Sequence, residues 1–300
     1  MSTLYKVFNL GREFVGMTGI PTLVSRATSY KRTIVLYYHK PTPIQFESHV
    51  KWLIKYYVPI SMKLFLQSVA EIKPNLLPAY SVIITIDDGW KENAGLLPII
   101  IKYRLPVIFY LTAGIVGTRR KFWWLAVLEK GDDPNQFKKL CYEEMVVTLK
   151  KKYDYEFERE YPQRCALTWD EICELQRSRY VEFGSHSLMH PILTQCPEEI
   201  AYKELFESKQ ILENKLNQQI IHFSYPNGRF SHREKKILTS IGYRTARSTE
   251  AGWNDRESDV DLFALKTLYG ADFANTSNQL SYIMSGFDVL RKRATSYAAH

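Results

Sequence analysis

The stretch Ser81–Trp90, SVIITIDDGW, constrains this chain most. It opens as an apolar, β-branched run without glycine or proline. It then stops at two adjacent carboxylates and a glycine, Asp87, Asp88 and Gly89. A buried parallel strand that delivers polar groups at its carboxyl end has this form. Side chains alternate along a strand, so the pleat alone sends Asp87 and Asp88 opposite ways. A bend at Gly89 would bring both into one cavity. Two carboxylates that close repel each other unless a cation or a shared proton intervenes. Asp-Asp-Gly is also ordinary turn chemistry, so this stretch alone leaves both readings open.

A second stretch, Val181–His190 (VEFGSHSLMH), places His186 and His190 four apart after another strand-like run. That spacing predicts one face of a helical turn. Two imidazoles and one carboxylate form a usual ligand set for Zn²⁺ or a similar divalent metal, with one position open for water. A histidine pair and an aspartate pair at the ends of separate strands favour such a site over two unrelated turns.

The chain has 300 residues, 45% hydrophobic and 24% charged, which is ordinary globular composition. Strand-like and helix-like segments alternate, which predicts one α/β domain with parallel strands and right-handed crossovers. The net charge of +8 is not gathered into a stripe. It predicts weak attraction to acidic surfaces, and we expect no nucleic-acid partner. Cys141, Cys165, Cys173 and Cys196 form no C-x-x-C pair, and reduced, incidental thiols are expected. No run reaches the roughly 18 apolar residues of a spanning helix, and the first residues lack the apolar core of a secretory signal. A cytoplasmic location, peripheral to the inner face of the membrane, is the expectation.

Residues 1–32 carry Phe8, Leu10, Phe14, Val15 and Met17 among Lys6, Arg12, Arg26, Lys31 and Arg32. They predict an amphipathic segment, lying on a membrane or packed against the end of the fold. Thr33–Tyr38 reads as the first strand and ends at His39. Val58–Ile60 reads as a short strand, and Pro106–Thr112 as another buried one. A helix over Glu92–Arg104 is expected to kink or restart at Pro98. Between about residues 115 and 165 the alternation breaks, which predicts a helical insertion on a loop beside the active site. Its Trp123 and Trp124 suit a sugar face, a membrane interface or the insertion's own core. Capping boxes open helices at Thr168 and Ser231. Gln219–Tyr225, Tyr243–Arg247 and Leu262–Tyr269 read as later strands, and Ser277 to about Arg291 as a final helix.

Thr85-Ile86-Asp87-Asp88-Gly89 resembles the T-F-D-D-G motif of the polysaccharide deacetylase family, the NodB-homology family. His186-Ser187-Leu188-Met189-His190 resembles its H-S/T-x-x-H motif, and Tyr225-Pro226-Asn227-Gly228 a reduced form of its third motif. The resemblance runs from about Thr33 to the last helix and gives a domain over residues 33–292. It implies a distorted (β/α) barrel of about seven parallel strands. It further implies that Asp88, His186 and His190 hold a divalent metal, with Zn²⁺ the leading candidate. Asp87 would be the catalytic base, and the backbone N–H of Asn227, after Tyr225 and Pro226, would stabilise the oxyanion.

The chain departs from the family pattern in three places. Ser224 stands where the family has an arginine that holds the base, and Arg244 or Arg247 on the next strand could substitute. The fifth motif lacks its histidine, since Leu265-Lys266-Thr267 occupies that region. His39 is the candidate acid, because the first and last strands of a closed barrel are neighbours. The fourth motif shrinks to a stretch around Trp253, at most a pocket wall. His222 and His232 read as structural or exposed. The expected activity is metal-dependent removal of N-acetyl groups from amino sugars of a polysaccharide or lipid-linked glycan precursor. The alternative is an inactive relative that binds glycan or scaffolds polysaccharide assembly, and the same chemistry would also serve a small non-sugar amide.

Overall fold

The computed structural model describes residues 3–71, 73–256, 260–268 and 271–287. The chain opens with helices α1 (Thr3–Met17) and α2 (Ile20–Ser29). Strand β1 (Arg32–Tyr38), helix α3 (Pro43–Tyr56), strand β2 (Val58–Pro59), helix α4 (Met62–Ala70) and strand β3 (Ser81–Ile86) follow. Helix α5 (Leu97–Lys102) leads to β4 (Val107–Leu111). Helices α6 (Trp123–Glu129), α7 (Tyr142–Tyr153) and α8 (Trp169–Gln176) precede β5 (Val181–Ser185). Then come α9 (Glu198–Leu216), β6 (His222–Ser224), α10 (His232–Ser240) and β7 (Thr245–Ala251). The described chain closes with β8 (Asn254–Asp255), β9 (Leu265–Thr267) and α11 (Ser277–Met284). The far ends of the final strand and final helix expected from sequence, Tyr269 and residues 288–291, lie outside the described residues.

Local chemistry sets these boundaries. Thr168 and Ser231 cap α8 and α10, each with the reciprocal glutamate contact of a capping box. Gly242, at φ +88°, ends α10 in a conformation most residues avoid. Pro98 lies in the first turn of α5, after a 3-10 stretch over Lys91–Leu96, where its missing N–H costs nothing.

Among the described residues the strands follow the order β8-β1-β3-β4-β5-β6-β7-β9, with β2 on β3. The β1–β3, β2–β3, β5–β6 and β6–β7 pairs are parallel. This is the mostly parallel α/β class expected, with nine strands rather than about seven. Strand β8, two residues antiparallel to β1, is too short to show a period in sequence.

The chain divides into two compact units. One holds the residues up to Ile86, Gly95–Ile108 and those from Thr249 on. Every residue of β3 is buried, which explains its unbroken apolar run. Its register with β1 runs from Ile34 opposite Val82 to Tyr38 opposite Ile86. The backbone N–H of Leu268, just past β9, donates to the carbonyl of Val35 in β1 (3.0 Å). The last strand therefore meets the first. Helix α3 turns Phe46, Val50 and Leu53 inward at i, i+4 and i+7.

The other unit holds Asp87–Ala94 and Phe109–Ser248. Here β6 and β7 pair with His222 opposite Thr245 and Ser224 opposite Arg247. Helices α6 and α7 bury a core of their own, with Trp123, Val127, Phe137, Met145, Leu149 and Tyr155 inside. Trp123 belongs to that core, and Trp124 packs against it, half-buried.

Candidate functional site

The bend after β3 is real and sharp. Asp88 (φ +71°) and Gly89 (φ +80°) both adopt left-handed backbone. A Cβ at Gly89 would lie 2.8 Å from Val116 Cγ1 and 2.9 Å from Leu111 Cδ2, so only glycine fits there. Asp87 and Asp88 are both 3% exposed and serve different partners. Asp88 Oδ1 faces Nε2 of His186 at 3.5 Å and Nε2 of His190 at 3.7 Å. Asp88 Oδ2 accepts a hydrogen bond from the indole Nε1–H of Trp90 (2.8 Å). Asp87 accepts from the guanidinium of Arg247, whose Nη2 also lies 2.6 Å from Ser224 Oγ. Arg247 is 1% exposed, so this ion pair is desolvated.

The two histidines do not sit on a helical turn, as their spacing had predicted. His186 follows β5, and Ser187–His190 forms a loop with Ser187 and His190 at φ +64° and +60°. Side chains hold the loop in that shape. His190 N donates to Ser187 Oγ (2.9 Å). The backbone N–H groups of Leu188 and Met189 both donate to Glu204 Oε2, at 2.9 and 2.8 Å. Burial pushes the Glu204 carboxyl up to about 7. From α6, Trp123 Nε1 donates to the His190 carbonyl (3.0 Å), and the Trp124 ring meets the His190 ring edge-on at 4.6 Å.

Asp88, His186 and His190 suit a divalent cation. Their ligand atoms lie within 4.8 Å of one another in a buried cup. His186 Nδ1 sits 2.7 Å from the carbonyl of Ser224, which can only accept. Its proton is therefore on Nδ1, and Nε2 carries the lone pair that ligation needs. Two imidazole nitrogens and one carboxylate oxygen leave coordination positions for water and substrate.

A polysaccharide deacetylase family model matches residues 77–246, more than half of the chain. The chain belongs to the polysaccharide deacetylase family. Solved structures agree on the fold of this family member. The deacetylase PplD of Streptococcus pyogenes, in complex with acetate, is 18% identical, with a TM-score of 0.57 over 79% of this chain and 91% of that one. IcaB from Ammonifex degensii is 17% identical, with a TM-score of 0.60 over 84% and 97%. A polysaccharide deacetylase from Bacillus cereus is 18% identical, with a TM-score of 0.59 over 84% and 69%. No curated protein is significantly similar in sequence.

The departures from the family pattern now have structural counterparts. Ser224 and Arg247 are cross-strand partners on β6 and β7, so the arginine stands one strand over, opposite the serine that makes room for it. Arg244 is exposed and takes no part. Tyr225 is buried, its ring stacked on Phe230 at 4.9 Å, and Asn227 turns at φ +58° behind Pro226. His39 and Trp253 belong to the other unit. There His39 Nδ1 lies 2.9 Å from Asp272 Oδ2, and the backbone N–H groups of His39 and Lys40 also donate to that carboxylate, at 2.6 and 3.3 Å. Trp253 packs against Gly286, where a Cβ would approach its ring to 2.4 Å, and Arg32 lies over it. His222 is buried against Thr245 Oγ1 (2.8 Å) with its pKa lowered to about 4 by burial, a structural histidine. Trp90, Glu204 and Asp272 escaped sequence reasoning. Trp90 had the only local signal, its place directly after the motif.

Proposed function

We propose that this chain is a metal-dependent hydrolase that removes N-acetyl groups from amino sugars of a polysaccharide or lipid-linked glycan precursor. One observation carries the reading: the Asp88–His186–His190 cup lies beside a second carboxylate, Asp87, that has its own cation in Arg247. A lone structural metal site has no use for that second, separately charged carboxylate.

A divalent metal in the cup, with Zn²⁺ the first candidate, would polarise the amide carbonyl and lower the pKa of water from about 15.7 toward about 7. Asp87 takes the proton of the attacking water, and the Arg247 guanidinium holds that carboxylate in place. The backbone N–H of Asn227 donates to the oxygen that gains charge, with Tyr225 and Pro226 shaping the wall beside it and Trp253 a further wall. His39 protonates the leaving amine. Asp272 supports that assignment by holding Nδ1 as a donor, so Nε2 is the nitrogen that exchanges the proton. With Arg247 and His39 in these roles, neither missing motif argues for an inactive relative. We further propose peripheral contact with the inner face of the cytoplasmic membrane, where lipid-linked precursors are handled.

Acetate release from N-acetylated oligosaccharides tests the reading, measured before and after chelation and metal add-back. Release that stops with chelator, returns with Zn²⁺ and is absent in Asp87→Asn supports it. Release that is indifferent to chelator overturns the metal assignment.

A further inference from the structure

Helices α1 and α2 carry a surface that this chemistry does not use. One side of α1 packs on α11. Arg12 is buried with its guanidinium 5.6 Å from the Tyr282 ring centroid, Glu13 accepts from Asn278 Nδ2 (2.7 Å), and a Cβ at Gly16 would overlap the Asn278 backbone at 2.2 Å. The opposite side presents Leu10, Phe14 and Met17, at i, i+4 and i+7, exposed by 70%, 76% and 69%. Helix α2 repeats the arrangement. Pro21, Ser25 and Ser29 face inward, and Ser25 Oγ donates to the carbonyl of Met284 (2.6 Å). Ile20, Leu23, Ala27 and Lys31 share the exposed face.

That second stripe runs into a cleft of about 630 Å³, lined by Ala27, Tyr30, Lys31, Arg32, Asp255 and Arg256 among others. Among the described residues that line it, Lys31, Arg32 and Arg256 accompany Asp255, whose Oδ1 accepts from Arg32 Nε at 2.7 Å. Arg256 is fixed in place, its Nη1 and Nη2 donating to the carbonyls of Leu77 and Arg32, both at 3.2 Å. Partial burial lowers its pKa, so an anion in the cleft would relieve an underhydrated cation. Tyr30 packs edge-on to Tyr80 (5.5 Å), and Arg26 lies over Tyr80 at 4.2 Å, which gives the cleft an aromatic, cationic rim. None of the exposed residues from Leu10 to Lys31 is acidic.

We infer that the α1–α2 face docks on an anionic phospholipid bilayer. The side chains of Leu10, Phe14, Met17, Ile20 and Leu23 enter the acyl boundary, and a headgroup phosphate sits in the Lys31–Arg32–Arg256 cleft. Apolar stripes that end at cations and expose no acidic residue match the interfacial helices that read negatively charged leaflets. This deepens the peripheral membrane contact proposed above by naming the surface that makes it.

The test is co-sedimentation of the full chain with vesicles of phosphatidylcholine, with and without phosphatidylglycerol. Binding is expected only with phosphatidylglycerol and should weaken as salt rises. Lys31→Glu, a change of two charges, should weaken it about 30-fold, at about fivefold per charge. Phe14→Gln with Leu23→Gln should weaken it at least about 10-fold. Metal content and acetate release from soluble substrate should be unchanged in these variants, so failure of the membrane surface and failure of the hydrolase reading are separable. Equal binding to both vesicle types, no binding to either, or variants that bind like the parent would each overturn the inference. A dimer in solution that Phe14→Gln with Leu23→Gln dissociates would overturn it in favour of self-association.

Discussion

Arg247 donates its guanidinium to the carboxylate of Asp87, from the strand position directly opposite Ser224. The pair is fully buried, so each charge depends on the other. Arg247→Met should cost about 3–5 kcal/mol of stability, because it strands a buried carboxylate. Adding Asp87→Asn to that variant should restore part of the stability and none of the turnover. Urea denaturation alongside acetate release checks both. Additive losses in the double variant would show that the two residues do not depend on each other.

Metal retention and turnover should separate at the two aspartate-motif roles. Asp87→Asn should keep metal and lose about 100- to 10,000-fold in rate, the usual range for a general base. His190→Ala should lose both. Metal content by emission spectroscopy beside kcat decides, and equal metal loss in the two variants would refute the division of roles.

The His39–Asp272 pair predicts a third pattern. His39→Ala should slow turnover by about 100-fold or more with metal content intact. Asp272→Asn should slow it less, since it alters the imidazole's partner and leaves the ring in place. Unchanged rates in His39→Ala would send the search for the acid elsewhere.

Acid stability follows from two buried histidines. Burial lowers His49 and His222 from the usual 6.5 to about 4. A depressed histidine contributes stability that is complete above about pH 6.5 and is lost as pH falls through about 4. Each is worth on the order of 3 kcal/mol, a large share of a typical domain's stability. Urea midpoints should therefore fall steeply between about pH 6.5 and pH 4. A flat profile there would contradict the burial of both rings.

Glu204 works in the opposite direction. Its carboxyl is raised from 4.5 to about 7, so its contribution is complete below about pH 4.5 and is lost as pH rises through about 7. Glu204→Ala leaves the Leu188 and Met189 N–H groups without their acceptor and should weaken metal affinity about 10- to 100-fold, as loss of a ligand's supporting contact usually does. Competition with a chromogenic chelator measures it.

The sequence by itself determined the parts that depend on local chemistry. An unbroken β-branched run ending in Asp87-Asp88-Gly89 can be little else than a buried strand with a polar end, and Gly89 marked the bend. Capping boxes at Thr168 and Ser231, and the restart at Pro98, were legible because each involves residues within one turn. The histidine loop was legible in identity and misread in shape. Four residues of spacing suit a helix, but Glu204, from a different element, holds the loop with two positive φ angles instead. Tertiary structure alone decided which arginine meets Asp87, which carboxylate holds His39, and which faces of α1 and α2 stay exposed. Each is a pairing between residues far apart in the chain, set by strand register and helix packing, and neither leaves a period or a motif in a single sequence.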